Sequence, residues 1–172
     1  MVFTSCSERY VMTNKSLILS LTKTFSSTFN LYYLTHACHW NVEGINFYEV
    51  HILLDGQYKN IQEAIDDTAE KIRQLDAYAP TTLEFISNTG IKFEDCSKYS
   101  VPEMTKSLVA AHTIFIGQLN ETIKEAKKIG REDLVNYLGG RWEEHGKMRW
   151  MLRATAKKYQ GVPEVINQSG KD

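Results

Sequence analysis

The sequence predicts an all-α protein in which four long helices form a bundle and one long connection carries a short helix. Three observations support this fold class. Apolar residues recur at steps of three and four in four long segments, which is the period of a helix with one buried face. The turn between the first two segments is short, whereas residues 81–100 separate the second from the third. A chain of 172 residues with 42% hydrophobic content suits a single domain.

The first helix is expected to begin at Asn14, which can act as its N-cap, and to end near Trp40. Residues 1–13 show no clear period and are predicted to form a mobile N-terminal arm. Gly44 can adopt the left-handed conformation that often follows a helix end. Because this turn is short, the second helix should lie antiparallel beside the first. The apolar stripe of the first helix comprises Leu17, Leu21, Phe25, Phe29, Tyr32, His36 and His39.

The second helix is predicted from Asn46 to Tyr78, because Pro80 cannot continue it. Its apolar stripe includes Phe47, Val50, Leu54, Tyr58, Ile61 and Ile65. In the crossover that follows, the threonines at 81 and 82 can cap a short helix over residues 83–87. A crossover of this length lets the third helix start at the far end of the bundle.

The third helix should start at residues 100–103, which form a capping box with proline just inside the helix, and should end at Gly130. The fourth helix is predicted over residues 132–159. Gly139 and Gly140 inside it indicate close backbone packing or a local bend. Its predicted inward residues are Leu134, Leu138, Trp142, Met148 or Trp150, Leu152 and Thr155. The bundle would thus occupy residues 14–160, and residues 161–172 would form a C-terminal tail.

Composition narrows the classes of function. With a net charge of −1 and a pI near 6.5, no global positive charge attracts the chain to nucleic acid or anionic lipid. The chain has no run of eighteen apolar residues and its first ten residues are partly polar, so no membrane span or signal peptide is expected and the predicted location is cytoplasmic. Cys6, Cys38 and Cys96 are odd in number and far apart in sequence, which favours reduced thiols.

A set of imidazoles and carboxylates, which hold transition metals through nitrogen and oxygen, lies at the end of the first helix and along the second. Its members are His39, His51, Asp55, Asp66 and Glu70. The four on the second helix share one broad face at about 100° per residue. However, Asp55 and Asp66 are separated by about 16 Å of helical rise, whereas a metal–ligand bond spans about 2 Å. One chain therefore cannot close one site from all of them.

Two chains can close it. If a second copy of the second helix crosses antiparallel, with a two-fold axis near residues 60 and 61, His51 faces Glu70 of the partner subunit. The same register sets Asp55 opposite the partner's Asp66, because the two pairs have the same midpoint in sequence. Self-complementary contact of this kind is what a two-fold dimer interface requires. The spacing thus predicts two equivalent metal sites across a dimer interface.

The same residues carry a resemblance to a known family. His39-Trp40-Asn41, followed by His51, Asp55, Asp66 and Glu70 at their spacing, resembles the ferroxidase signature of the Dps family, the mini-ferritins that protect DNA during starvation. Residues 145–154 look like the end of that family's last helix. The helix order and the crossover agree with its ferritin-like fold. The resemblance covers roughly residues 14–159.

The resemblance implies a ferroxidase that forms a hollow dodecamer. It would bind Fe(II) on the two-fold interfaces, oxidise it preferentially with hydrogen peroxide, and store the ferric product inside. His39, His51 and Asp55 would come from one subunit and Asp66 and Glu70 from its partner. Trp40, beside His39, would be a one-electron donor or radical quencher, or else an interface aromatic. Zinc is a potential competitor for the same ligands.

Two other classes of function stay open. One is a protein that compacts DNA in the nucleoid, and the other is a structural bundle whose site is vestigial or holds zinc. DNA-binding members of the family commonly carry a lysine-rich tail, whereas the N-terminal arm here offers only Arg9 and Lys15, and the tail only Lys171 beyond residues 157 and 158. DNA binding is therefore predicted to be weak or absent at physiological salt. Asp67, His112 and His145 are expected to have structural or surface roles, and His36 to be a core histidine or else to orient the ligand His39 one turn later.

Overall fold

The structure is a computed structural model that describes the backbone of residues 6–157 and the side chains of residues 14–157. It contains five helices and, within these residues, no strand: α1 (Cys6–Asn41), α2 (Phe47–Arg73), α3 (Leu83–Thr89), α4 (Val101–Lys128) and α5 (Glu132–Thr155). The four long helices form the bundle, and α3 lies in the crossover between α2 and α4. The predicted all-α class, with its long crossover and short helix, is confirmed.

The bundle core lies between two helical hairpins. α1 packs along α2, α4 packs along α5, and α1 also packs against α4, while α2 and α5 touch at few points. Apolar side chains from the four long helices fill the space between them; the largest fully buried ones include Phe115, Leu17, Leu21, Leu54, Ile61 and Leu134. No helix in the described part of the chain is long and apolar enough to cross a membrane.

The first helix starts earlier than the sequence predicted. It begins at Cys6 rather than at Asn14, because a formed helix extends at the gain of one hydrogen bond per residue even where no apolar stripe marks it. Residues 1–5 lie outside the described part, and the mobility of the arm stays a prediction. The turn after Asn41 contains Gly44 at φ +101°, which confirms the left-handed glycine expected there.

The second helix ends at Arg73, before the predicted end at Tyr78. Asp76 adopts the left-handed conformation, with φ +59°. The amides of Asp76 and Ala77 donate to the carbonyls of Arg73 and Ile72, at 3.0 and 3.4 Å, which is the pattern of a Schellman motif. Aspartate tolerates this conformation better than most residues, so it ends the helix before proline is reached.

The crossover is fastened to α1 at Gly90. A Cβ at this position would lie 2.5 Å from the backbone oxygen of Ser26 and 2.6 Å from Nδ2 of Asn30. The Asn30 amide donates to the carbonyl of Ile91 at 3.1 Å. At the other end of α3, Thr82 caps the helix by accepting from the amide of Phe85. The predicted short helix and its cap are thus confirmed, and the crossover passes closely over α1.

The third and fourth bundle helices begin and turn as the sequence predicted. The amide and hydroxyl of Ser100 both donate to the carboxylate of Glu103, at 2.8 and 2.6 Å, at the start of α4. Gly130 has φ +71° between α4 and α5. α5 ends at Thr155 rather than at Tyr159, and the predicted tail, residues 161–172, lies outside the described residues.

The inward face of α5 differs from the predicted one. Trp142 and Trp150 are exposed to 42% and 65%, Thr155 is also exposed, and His145 is fully buried. The inward position between Leu138 and His145 belongs to Arg141, which donates from Nη2 to Oδ1 of Asn60 at 2.9 Å and to His145 at 3.0 Å. The close packing expected at the glycine pair is wrong, because a Cβ at either residue 139 or 140 would meet no atom within 4 Å.

Candidate metal centre

His39 and His51 lie across the short turn between α1 and α2. His39 occupies the last turn of α1 and is 9% exposed, and His51 stands in the second turn of α2 and is half-buried. Their rings stack with centroids 3.8 Å apart and planes 20° from parallel. Nδ1 of each ring donates to the main-chain carbonyl of the other residue, at 3.0 Å in both directions.

These crossed hydrogen bonds determine which nitrogen of each ring carries the proton. A carbonyl oxygen can only accept, so Nδ1 must be protonated in both rings. In the neutral imidazole, Nε2 then keeps its lone pair. A ligating histidine is usually held in this way, with the second nitrogen donating to a carbonyl or carboxylate. The turn therefore presents two oriented nitrogen donors.

Asp55 lies one turn beyond His51 on α2 and accepts two hydrogen bonds. Lys59 donates from Nζ at 2.7 Å and the hydroxyl of Tyr58 donates at 3.1 Å. The hydrogen bond from Lys59 lowers the pKa of Asp55, with a further contribution from Tyr58, against a smaller opposing effect of desolvation. The carboxylate is consequently ionised at neutral pH and forms an ion pair with Lys59.

An aromatic cluster surrounds the two imidazoles on the α1 side. His36 stacks on Tyr58 with ring centroids 3.9 Å apart and planes 13° from parallel. The ring of Trp40 is 4.2 Å from that of His36. Burial lowers the pKa of His36, and the neighbouring charge of His39 adds to the effect. This side of the candidate centre is thus lined with aromatic rings, of which His36 and Tyr58 are partly buried.

Trp40 lies at the outer edge of that cluster. It is 56% exposed and meets the ring of Tyr33 edge-on, with centroids 6.2 Å apart. Its side chain is therefore accessible from solvent in the single chain while remaining in contact with His36, which connects it through rings to the candidate centre.

Asp66 and Glu70 lie elsewhere on α2. Both are exposed, as is Asp67, and they occupy a part of α2 away from the buried residues that face the core. No group of three or more histidine, cysteine, aspartate or glutamate side chains within the described residues is arranged to hold a metal ion. The structure brings His39 and His51 together, with Asp55 one turn away, but one chain does not bring Asp66 or Glu70 to them.

Sequence reasoning missed two residues that contact the candidate ligands. The helical period places Tyr58 in the apolar stripe of the second helix and indicates no role for Lys59. Their positions, three and four residues after Asp55, are the ones at which side chains on a helix meet. The signal was therefore present in the sequence as an Asp and Lys pair at helical spacing.

Comparisons with known proteins agree with this architecture. Residues 18–162 match the ferritin-like domain family. The DNA protection during starvation protein of Helicobacter pylori is 30% identical over 125 residues, which cover 72% of this chain and 87% of that protein. The protein of the same name from Mycolicibacterium smegmatis is 33% identical over 133 residues, covering 74% and 70% of the two chains.

A solved structure shows the same fold. The crystal structure of a Dps protein from Bacillus brevis superposes with a TM-score of 0.81 at 24% identity, covering 85% of this chain and 98% of that one. At this identity the structural likeness establishes the fold alone. Membership of the family is established by the domain match and by the two relatives that are at least 30% identical. The chain belongs to the Dps family of ferritin-like proteins.

Proposed function

We propose that this protein is an iron-storing mini-ferritin that oxidises Fe(II) with hydrogen peroxide at sites shared between two subunits. The observation that carries the proposal is the crossed hydrogen bonding of His39 and His51, which holds two imidazoles with Nε2 free to bind a metal. Membership of a ferritin-like family supports iron as the metal. Iron is here the substrate and the stored cargo.

One subunit would supply the nitrogen half of the site. Nε2 of His39 and of His51 would bind Fe(II), and Asp55 would exchange its bond with Lys59 for a bond with the metal. Imidazole and carboxylate ligands suit Fe(II) and leave positions open for peroxide. They also suit Zn²⁺, so zinc is proposed as a redox-inactive competitor.

The other half would come from a second copy. Asp66 and Glu70 are exposed on α2, and a copy of that helix crossing antiparallel would bring the partner's Glu70 to His51 and the partner's Asp66 to Asp55. This arrangement accounts for two facts that are otherwise unrelated: the part of the chain that the structure describes holds too few ligands in one place, and Asp66 and Glu70 lie on a solvated face. A dodecamer built on such dimers is the proposed assembly.

The chemistry proposed for the site is a two-electron reduction of peroxide. Two Fe(II) ions give up one electron each, and hydrogen peroxide with two protons becomes two molecules of water. Because both electrons are delivered together, the release of hydroxyl radical is limited. Protection of DNA, which the names of the relatives describe, would follow from removal of iron and peroxide and needs no contact with DNA.

The first experiment measures peroxide loss after Fe(II) is added to the iron-free protein. Asp66→Asn should abolish rapid loss, whereas Asp67→Asn should retain it, because Asp67 is turned by about 100° from its neighbour. The two substitutions remove the same charge from adjacent exposed positions. Equal activity of the two variants would contradict the proposed ligand set.

A mixing experiment tests whether the site is shared. His39→Ala and Asp66→Asn chains are each inactive on this proposal, but a dimer of one with the other contains one intact site. Random coassembly during coexpression should restore about a quarter of the sites. A site closed within one chain would gain nothing from mixing.

Light scattering should give about twelve times the 19.8 kDa chain mass for the native protein.

A further inference from the structure

Cys38 and Cys96 meet in the folded chain although 57 residues separate them in sequence. Cys38 stands in the last turn of α1, next to His39, and Cys96 lies in the segment between α3 and α4. Their Sγ atoms are 3.4 Å apart, and both residues are buried, with 0% and 4% of their surfaces exposed. Both are free thiols. The two cysteines are far apart in sequence, but the crossover folds back over α1 and brings them together as reduced thiols, the state that the sequence predicts.

The separation is small enough for a bond. A disulfide has sulfur atoms about 2.05 Å apart, so the two Sγ atoms need to approach by about 1.4 Å. Cys38 is fixed by the helix around it, whereas Cys96 has non-helical backbone on both sides. A rotation of its side chain with a slight shift of residues 92–98 supplies the movement, and no helix has to break.

We propose that Cys38 and Cys96 form a redox pair that hydrogen peroxide converts into an intrachain disulfide. In the first step one thiol sulfur attacks peroxide, the O–O bond breaks, and a sulfenic acid and one water are formed. In the second step the other thiol attacks the sulfenic sulfur, the S–O bond breaks, the S–S bond forms, and the released hydroxyl takes the proton of the second thiol and leaves as a second water. Each sulfur loses one electron, and the peroxide gains two.

The disulfide would tie the crossover to the helix end that carries His39. It would close a loop from the end of α1 through α2 and α3, which restricts the unfolded chain more than the folded one. The tie lies beside the turn at which His39 and His51 bond to each other. Oxidation would therefore stabilise that turn and the crossover without adding a bond to either imidazole. The reaction needs no iron, so it stands apart from the proposed ferroxidase activity.

The test uses the full-length, iron-free protein with a chelator present, reduced and then treated with hydrogen peroxide. After denaturation, alkylation and digestion, mass spectrometry should find a peptide that joins residues 38 and 96. The count of alkylated cysteines per chain should fall from three to one. The oxidised protein should unfold at a temperature higher by roughly 5–15 °C, and dithiothreitol should reverse the shift.

Three variants serve as controls. Cys6→Ser should form the cross-link as the wild type does, while Cys96→Ser should show no cross-link and no change in melting temperature on oxidation. Cys38→Ala is a second disabling variant, and Cys96→Ser decides the matter if Cys38→Ala does not fold. Three alkylated cysteines after peroxide, oxidation to sulfinic acid without a cross-link, or a link through Cys6 would each overturn the proposal.

Discussion

His112 and His145 face each other in the bundle core, with their Nδ1 atoms 3.0 Å apart. Arg141 donates to Nε2 of His145, so the proton of His145 lies on Nδ1 and is donated to Nδ1 of His112. The proton of His112 must then lie on Nε2, which has no hydrogen-bond partner within the described residues. Both rings are therefore neutral in the folded protein, beside the guanidinium groups of Arg141 and Arg149.

This pair predicts acid sensitivity. Burial, together with the charges of Arg149 and Arg141, lowers the pKa of His112 to about 3, and burial lowers the pKa of His145 well below its usual 6.5. Below pH 6.5 the two histidines are protonated in the unfolded chain but stay neutral in the folded chain, so the free energy of unfolding falls as the pH decreases. Above pH 6.5 the pair contributes no pH dependence. The loss approaches about 1.4 kcal/mol per pH unit for each histidine. Urea denaturation at several pH values between about 7.5 and 4.5 measures it.

The matched variant for this experiment is His112→Gln, which keeps an acceptor for His145 but cannot titrate. The free energy of unfolding of this variant should change less steeply with pH than that of the wild type. The difference in slope should reach about 1.4 kcal/mol per pH unit, which corresponds to one proton. Carboxylates elsewhere in the chain contribute equally to both proteins and cancel in the comparison. Parallel pH profiles for the two proteins would show that His112 is not the buried neutral base described above.

Gly90→Ala should destabilise the fold by about 1–3 kcal/mol, because its Cβ would press on the Ser26 carbonyl and move the crossover from α1. Gly117→Ala is the contrasting variant. Gly117 lies within α4, and a Cβ there meets no atom within 4 Å, so alanine should stabilise the helix by about 0.5–1 kcal/mol. Chemical denaturation of both variants checks the two signs, and a neutral Gly90→Ala would refute the close approach.

Lys59→Gln should strengthen metal binding at the candidate centre. The substitution removes the ammonium group that a metal ion must displace from Asp55, so binding of Zn²⁺ to the iron-free protein should tighten by about two- to five-fold. Lys59→Arg retains the positive charge and should bind Zn²⁺ as the wild type does. Isothermal titration at low salt gives both constants. Weaker binding by Lys59→Gln would mean that Lys59 holds Asp55 in a conformation that binds the metal, rather than competing with the metal for Asp55.

Trp40→Phe should separate iron oxidation from radical trapping. The ring that packs on His36 is retained, so the rate of Fe(II) oxidation should change little, but the readily oxidised indole is lost. Spin trapping during turnover should then detect more hydroxyl radical than with the wild type. Trp150→Phe, at another exposed tryptophan, should behave as the wild type. Unchanged trapping in Trp40→Phe would assign Trp40 to the interface alone.

Linear DNA should not be retarded by this protein in a gel shift at ~150 mM salt. The chain carries a net charge of −1, and each phosphate contact weakens steeply as salt rises. At low salt a faint, sequence-independent shift is expected at most. A discrete, salt-resistant complex would revive the nucleoid role that the charge distribution disfavours.

The order of the helices could be predicted because each long helix repeats its apolar residues over many turns. The end of α2 could not, since it depends on Asp76 adopting a left-handed conformation that competes with the more obvious stop at Pro80. The buried face of α5 differs from the predicted one for a related reason. Arg141 occupies an inward position by reaching Asn60 and His145, and no apolar pattern signals a buried guanidinium.

Part of the candidate site could be predicted from the sequence. The helical period places His51 and the three carboxylates on one face of α2, and the short turn accounts for His39 beside His51, whereas the role of Asp66 and Glu70 stays a prediction. The crossed hydrogen bonds depend on the geometry of the turn at residues 42–46, which a periodic pattern does not encode. The meeting of Cys38 and Cys96 depends likewise on the path of the crossover over α1.

The two imidazoles at the turn are mutually dependent. Each is oriented by the main chain of the other residue, so a substitution at His39 removes the stacking partner of the His51 ring but leaves the main-chain carbonyl that accepts from it. A single replacement at either position should thus remove one nitrogen donor and leave the other ring with its hydrogen bond. The two donors are oriented by the backbone of the turn before any metal arrives.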